Sequence, residues 1–443
     1  MAAKTFDVGT PTIWSNVTAG SEPQDLPGRS SLLILLLAIH LISAIASAQA
    51  PPAQSPETAG SSGAPTGGAQ SSTTAPSAAD TPANQVPSSK AEKKKKEKRG
   101  KIIAAPIPIS NAALGTGIIP VVSYIFALSK EDKISPPSVV GAAGLITDNG
   151  SRALALAGQL YVKHNTSIIT AAFVRGHLNY DFYGTGSAAG DAGRKLALTQ
   201  TGQLFFGEFL HRIGWKFFLG PRVWIASSSI TPHPDSSTAD QPVLSALDLG
   251  TSPRALGLRL LRDTRPNRFY ATAGTLFDFK ANFFQVDSIL SASSGLPGGN
   301  KTYSFQPYEL TFNKYMSLSK SQVLAYNLTL CAVGGQAPFY GQCLFGTKNE
   351  LRGYVPGRYI DTRMFATQLE YRLALPKRLG LVAFGGVGEV APSLGKFNGD
   401  NLLPAIGAGL RFLLDRKYHV NFRIDFAQGK NEHTWSMGIA EAF

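Results

Sequence analysis

From about residue 101 to Phe443, apolar and polar positions alternate with a period of two. That is the side-chain spacing of a β-strand, not the 3.6-residue period of a helix. Across residues 365–375, Phe365, Leu369, Tyr371, Leu373 and Leu375 alternate with Ala366, Gln368, Glu370, Arg372 and Ala374. Further on, Val420, Phe422, Ile424 and Phe426 oppose Asn421, Arg423 and Asp425. Leu324, Tyr326, Leu328 and Leu330 oppose Ala325, Asn327 and Thr329. One face of each strand is greasy, and the other is polar or ionised.

Two all-β architectures use such strands. A soluble sandwich turns the greasy faces inward, whereas a transmembrane barrel turns them to lipid around a wet lumen. An arginine facing lipid at mid-membrane costs about 2–4 kcal/mol. A barrel therefore requires Glu370, Arg372, Arg423 and Asp425 to face the lumen. The pattern gives sixteen strands: 102–110, 117–128, 137–147, 151–163, 166–179, 194–210, 213–229, 243–261, 267–284, 303–318, 321–333, 361–376, 378–390, 402–414, 418–428 and 432–443. An even number is what a single-chain outer-membrane barrel needs. Short connections ("HRIG", "RDTRPN", "LSKS", "PKR", "DRKY") mostly alternate with long ones, the longest being 334–360. The fold class expected is an antiparallel transmembrane β-barrel of about sixteen strands over residues 101–443.

The first hundred residues break this pattern and supply a route to a membrane. "RSSLLILLLAIHLISAIASAQA" has a positive start, an apolar core and a small-residue end, so residues 1–50 read as a secretory signal with an extended N-terminus. The alternative is an uncleaved anchor. Residues 51–89 are rich in Pro, Ala, Ser, Gly and Thr, too polar to bury a core. "KAEKKKKEKRGK" follows, at local charge +6 within a chain total of +13. Residues 51–100 are thus expected to be a disordered periplasmic linker. Its basic end is either a solvated tether or a ligand for anionic lipid. No apolar run of helical-span length occurs after residue 50, which removes helical multi-span proteins.

Chemistry is sparse. The sequence has no GxSxG, P-loop, HExxH or CxxC motif, and its seven histidines are scattered. No enzyme, cofactor or metal site, nucleic-acid partner or small-molecule substrate is expected. Cys331 and Cys343 are the two cysteines. In an oxidising compartment so close a pair can close as a disulfide, contributing about 2–3 kcal/mol in the chain-entropy model; in a reducing one they stay free thiols.

"ELRGYVPGRYIDTRMFATQLEYRLALPKRLGLVAFGGVGEV" resembles the C-terminal barrel of the BamA/TamA outer-membrane assembly family, also called the bacterial surface antigen family. "GLRLLRDTRPNRFYATAGTLF" is similar to its mid-barrel hairpin, and "VNFRIDFAQGKNEHTWSMGIAEAF" to its last one. The resemblance implies that the sixth extracellular loop folds into the lumen, with Arg352, Gly353 and Tyr354 as its tip. Inner-wall partners would be Glu370, Phe384, Gly386 and Gly388. The family's wall motif carries Asp where this chain has Gly386, so one acidic contact is lost, and Glu389 points to the other face by parity. The resemblance also implies a weak seam between first and last strands, here Pro106, Pro108 and Phe443. The alternative for 102–110 is a non-strand leader. Phe443 itself reads as a C-terminal assembly signal and as an interfacial aromatic. No β-α-α-β pattern fits residues 51–100, so the chain is similar to short members that lack POTRA domains. The implied function is assembly or insertion of outer-membrane proteins, or translocation of polypeptide or lipid, with outer-membrane lipid and client polypeptides as partners. The rival is a passive, partly plugged pore favouring anions.

Overall fold

The computed structural model describes residues 100–443 apart from 130, 133, 234–248, 291–298 and 417–418. The expected signal and almost all of the linker therefore lie outside the described residues. Sixteen strands close an antiparallel barrel: β1 (Gly100–Asn111), β2 (Gly115–Phe126), β3 (Ser138–Thr147), β4 (Arg152–Val162), β5 (Ser167–Phe182), β6 (Leu196–Gly214), β7 (Phe217–Pro232), β8 (Leu249–Asp263), β9 (Gly274–Leu290), β10 (Gly299–Ser319), β11 (Gln322–Gly335), β14 (Arg363–Ala374), β15 (Leu379–Ala391), β16 (Leu403–Asp415), β17 (Val420–Gln428) and β18 (His433–Ile439). Two short strands, β12 (Cys343–Leu344) and β13 (Ile360–Asp361), pair inside the connection between β11 and β14. Gly100 and the residues after β18 mark the lower end; the longest connection, 336–362, lies at the upper end.

The alternation sorts the faces. Leu154, Phe205, Leu256, Phe283, Leu369, Ile406 and Trp435 stand exposed on the outside, as a lipid-facing surface requires. Glu370, Arg372, Arg411, Arg423 and Asp425 are buried on the inside.

Three expectations need correction. First, the lumen is not polar all round. From β1 to β5 the inward positions include Ile107, Ile119, Val121, Val139, Leu145, Ala155, Val174 and Leu178, and these join one apolar cluster. The strands "GIIPVVSYIF" and "SVVGAAGLIT" are apolar on both faces. Second, strand nine starts at Gly274, not 267. Pro266 offers no N–H to a ladder, and the Asn267 side chain accepts from the backbone N–H groups of Phe269 and Tyr270, curling the chain into a turn. Gly274, at φ +90°, then admits β9. Third, the last strand ends at Ile439. Ala440, at φ +67°, directs residues 440–443 into the lumen, so Phe443 is not at the seam or on the lipid face. Its ring lies 6.5 Å from Tyr315 on β10, and its carbonyl accepts from Arg372. Glu441, ion-paired with Arg411 at 2.6 Å, holds the tail there.

Candidate functional site

The connection 336–362 occupies the middle of the lumen, and its shape follows from a few local rules. Cys343 is bonded to Cys331 of β11, which ties the loop to the wall near its start. Glu350 accepts from the backbone N–H groups of Thr347 and Lys348 and rounds the next turn. Gly353, at φ +113°, reverses the chain. A Cβ there would also press on Ala405 and Gly429 at about 3.2 Å, so only glycine combines that conformation with that closeness. Phe345, Tyr354 and Tyr359 then pack edge-on with centroids 5.3–6.4 Å apart.

Arg352 sits at the tip and is 5% exposed. Its Nη2 donates to Glu370 of β14, and its Nη1 donates to Asp425 of β17 at 2.8 Å. Its guanidinium lies 3.5 Å over the Phe384 ring of β15, a stacked cation–π contact. The planar fork suits two carboxylates on different strands, which a lysine cannot span in the same way. Charge continues outward on both sides. Glu370 also accepts from Arg372, which donates to the carbonyls of Ala271 and Phe443. Asp425 also accepts from Arg411 and Arg423. The loop tip is therefore joined, through alternating acids and bases, to the lower turn 264–273 and to the inturned tail.

The wall glycines make room for the loop. A Cβ on Gly388 would lie 2.5 Å from Phe345, and one on Gly386 would lie 2.7 Å from Leu351 and 2.2 Å from the Thr367 carbonyl. The space where the family motif places an aspartate is thus filled by Leu351. The second acid on Arg352 comes from Asp425 instead. Parity placed Asp425 in the lumen, but parity carries no information on which strand faces a loop tip.

A second ionic network went unnoticed in the sequence. Glu208 is flanked by Arg222 and Arg259, each at 2.8 Å, and Arg259 pairs with Asp278. Lys280 links Asp278 at 3.2 Å to Glu309 at 3.7 Å, and Lys348 of the loop reaches Glu309 at 2.6 Å. The loop is gripped from two walls. The helix Ser187–Ala192 (α1), read from sequence as plain loop, closes over it from above: Arg358 donates to the Gly190 carbonyl, and Tyr359 donates to Asp191. At the upper rim Glu432 accepts from Val355 and pairs with Arg358. Burial raises the Glu432 carboxyl above its ordinary range, with Arg358 opposing.

The seam is the opposite of this tight centre. β1 and β18 share one Cα pair, Ser110 with Met437, whereas β1 and β2 pair along their whole length. Pro106 faces Pro120 in the β1–β2 ladder. Neither has an N–H, so that pair is a non-hydrogen-bonded one, and position 106, with 108 by period two, turns its missing donor toward β18. Residues 106 and 108 lie within a strand, not a leader.

Residues 231–440 match the Omp85 superfamily domain model. No curated protein matches the chain. Among solved structures it is similar to BamA from Haemophilus ducreyi lacking POTRA domains 1–3, at 12% identity and a TM-score of 0.50, covering 77% of this chain and 70% of that one. CdiB from Acinetobacter baumannii is similar at 11% identity and a TM-score of 0.48, covering 77% of this chain and 60% of that one. Within a closed sixteen-stranded barrel of outer-membrane type, the chain carries an Omp85 superfamily domain over residues 231–440.

Proposed function

We propose that this protein is a bacterial outer-membrane barrel that exchanges polypeptide or lipid between lumen and bilayer through its β1/β18 seam, in assembly or translocation. Outer-membrane lipid and client polypeptides are its partners, and the lower end faces the periplasm. The observation that carries the reading is the contrast between a ladder of one Cα pair at the seam and full ladders elsewhere. A sheet edge with few donors opens at little cost. The clamped loop supports the same reading, since a lumen filled by residues 336–362 leaves the wall as the way through.

The test is a cysteine pair, Ser110→Cys with Met437→Cys. Oxidised, it should fail to restore outer-membrane protein and lipid composition in a depleted strain, and reductant should restore it. Full activity of the locked barrel would sink the proposal. The rival pore makes a separate prediction: planar bilayers should show large, steady, anion-favouring conductance, whereas the clamped loop predicts small and irregular currents.

A further inference from the structure

Behind the seam lies a cavity of about 170 Å³. Ile109, Leu114, Ile119, Leu145, Phe182 and Phe339 give it an apolar wall. Two more lining residues, Ser110 and Met437, belong to the outward-facing set of their strands, and they are the single pair that joins β1 to β18. The cavity therefore borders the seam itself, at the pair that joins its two strands. Arg423 also lines it. This arginine is 8% exposed and gives one bond to Asp425, which Arg352 and Arg411 share. Its Nε has no hydrogen-bond partner among the described residues. Asp181, the lining carboxylate, is paired with Lys195 at 2.7 Å.

We propose that this cavity binds a long-chain carboxylate that enters from the bilayer, with its oxyanion on Arg423 and its chain running out through the seam. The inference rests on the seam reading above and names a ligand class for it. Three observations choose this occupant. An apolar cavity of about 150 Å³ takes a benzene-sized group, so this one has room for a segment of one chain and not for the two chains of a phospholipid. A buried guanidinium with a spare donor calls for an oxygen acceptor, and an anionic one is bound most strongly. An incoming β-strand is the poorer fit, because Pro106 and Pro108 remove donors from the edge it would have to pair with.

The probe is palmitic acid carrying a diazirine in its chain, added to the purified full-length protein in phosphatidylcholine nanodiscs, with labelled residues mapped by mass spectrometry. Labelling should be saturable, should fall on Leu114, Phe182, Phe339 or Met437, and should be displaced by palmitate. Leu114→Trp, which fills the cavity without touching the ionic network, should lower it about tenfold, equivalent to about 1.4 kcal/mol of binding. Arg423→Gln should bind palmitate and hexadecanol alike, where the parent prefers palmitate. Heat-modifiable migration on gels reports that each variant is folded. Labelling confined to the outer face, or unchanged in Leu114→Trp, would overturn the proposal, as would displacement by palmitoyl phospholipid as strong as by palmitate. The disulfide-locked barrel separates the two claims. Labelling lost in the locked form supports entry at the seam. If the lock abolishes complementation but no cavity residue is ever labelled, the seam reading stands and the carboxylate site falls.

Discussion

The lumen has two unlike walls. On β6 to β10 and again on β14, β16 and β17 it carries acids and bases in alternation, each held by a neighbour, among apolar side chains such as Phe206, Trp224 and Phe284, and the inserted loop adds Lys348 and Arg352 to the series. From β1 to β5 it presents aliphatic side chains. The first wall fixes where the loop goes. Burying ion pairs adds little net stability, because desolvation offsets the attraction, but breaking one leaves a stranded charge. The second wall contributes ordinary hydrophobic burial and fixes no partner. Loop position is thus specified by the charged wall, while the greasy wall borders the poorly paired seam. Tightness and openness meet within one strand of each other, where β17 carries Asp425 and β18 carries the seam.

The sharpest way to break this contrast is to put a charge on the greasy wall. Val174 is fully buried there. Val174→Lys should cost more than about 5 kcal/mol, enough that no heat-modifiable barrel is recovered. A folded Val174→Lys barrel would mean that this wall is wet. Next comes the charged wall itself. Arg352→Met removes two buried charge-assisted bonds, to Glu370 and Asp425, and the contact with Phe384, while the two acids keep Arg372, Arg411 and Arg423; it should cost roughly 3–5 kcal/mol, read as a lower thermal midpoint and as protease cuts within 336–362. Arg352→Lys should recover little of this, because an ammonium cannot bridge both carboxylates while stacking on Phe384. Losing the Cys331–Cys343 bond in the double Ser variant should cost about 2–3 kcal/mol while leaving the barrel closed. Mild reductant on the parent should match it.

The smallest effect lies outside both walls, in the lower turn 127–137. Asp132 accepts from the hydroxyl and backbone N–H of Ser135 and from the backbone N–H of His164, joining two turns. The Ser135 hydroxyl bond is the main reason its carboxyl is held below the usual range. A depressed acid contributes at pH values above its unfolded pKa, and the contribution is lost as pH falls through the folded pKa. Asp132→Asn should therefore speed amide exchange at Ser135 and His164 near neutral pH. The difference from the parent should vanish in strong acid.

Much of this was legible from period two alone. The inward placement of Glu370, Arg372, Arg423 and Asp425 follows from the alternation in strands with one polar face. The same rule is silent for β1 to β3, where both faces are apolar and parity has nothing to distinguish. It is also silent across space. That Arg352 meets Asp425, or that Lys348 meets Glu309, depends on how far the loop reaches across the barrel, which no single strand records. The inturned tail hinges on one backbone angle at Ala440, and short polar stretches such as 187–192 carry no apolar stripe to announce a helix.

The disulfide bears on the order of assembly. Cys331 and Cys343 are separated by only 12 positions, so their ends meet readily in an unfolded chain. An oxidising compartment can therefore close that ring on a nascent polypeptide that has formed no wall at all. The root of the lumenal plug would then be shaped before there is a lumen to receive it, and the enclosing sheet would be built around it instead of being threaded afterwards.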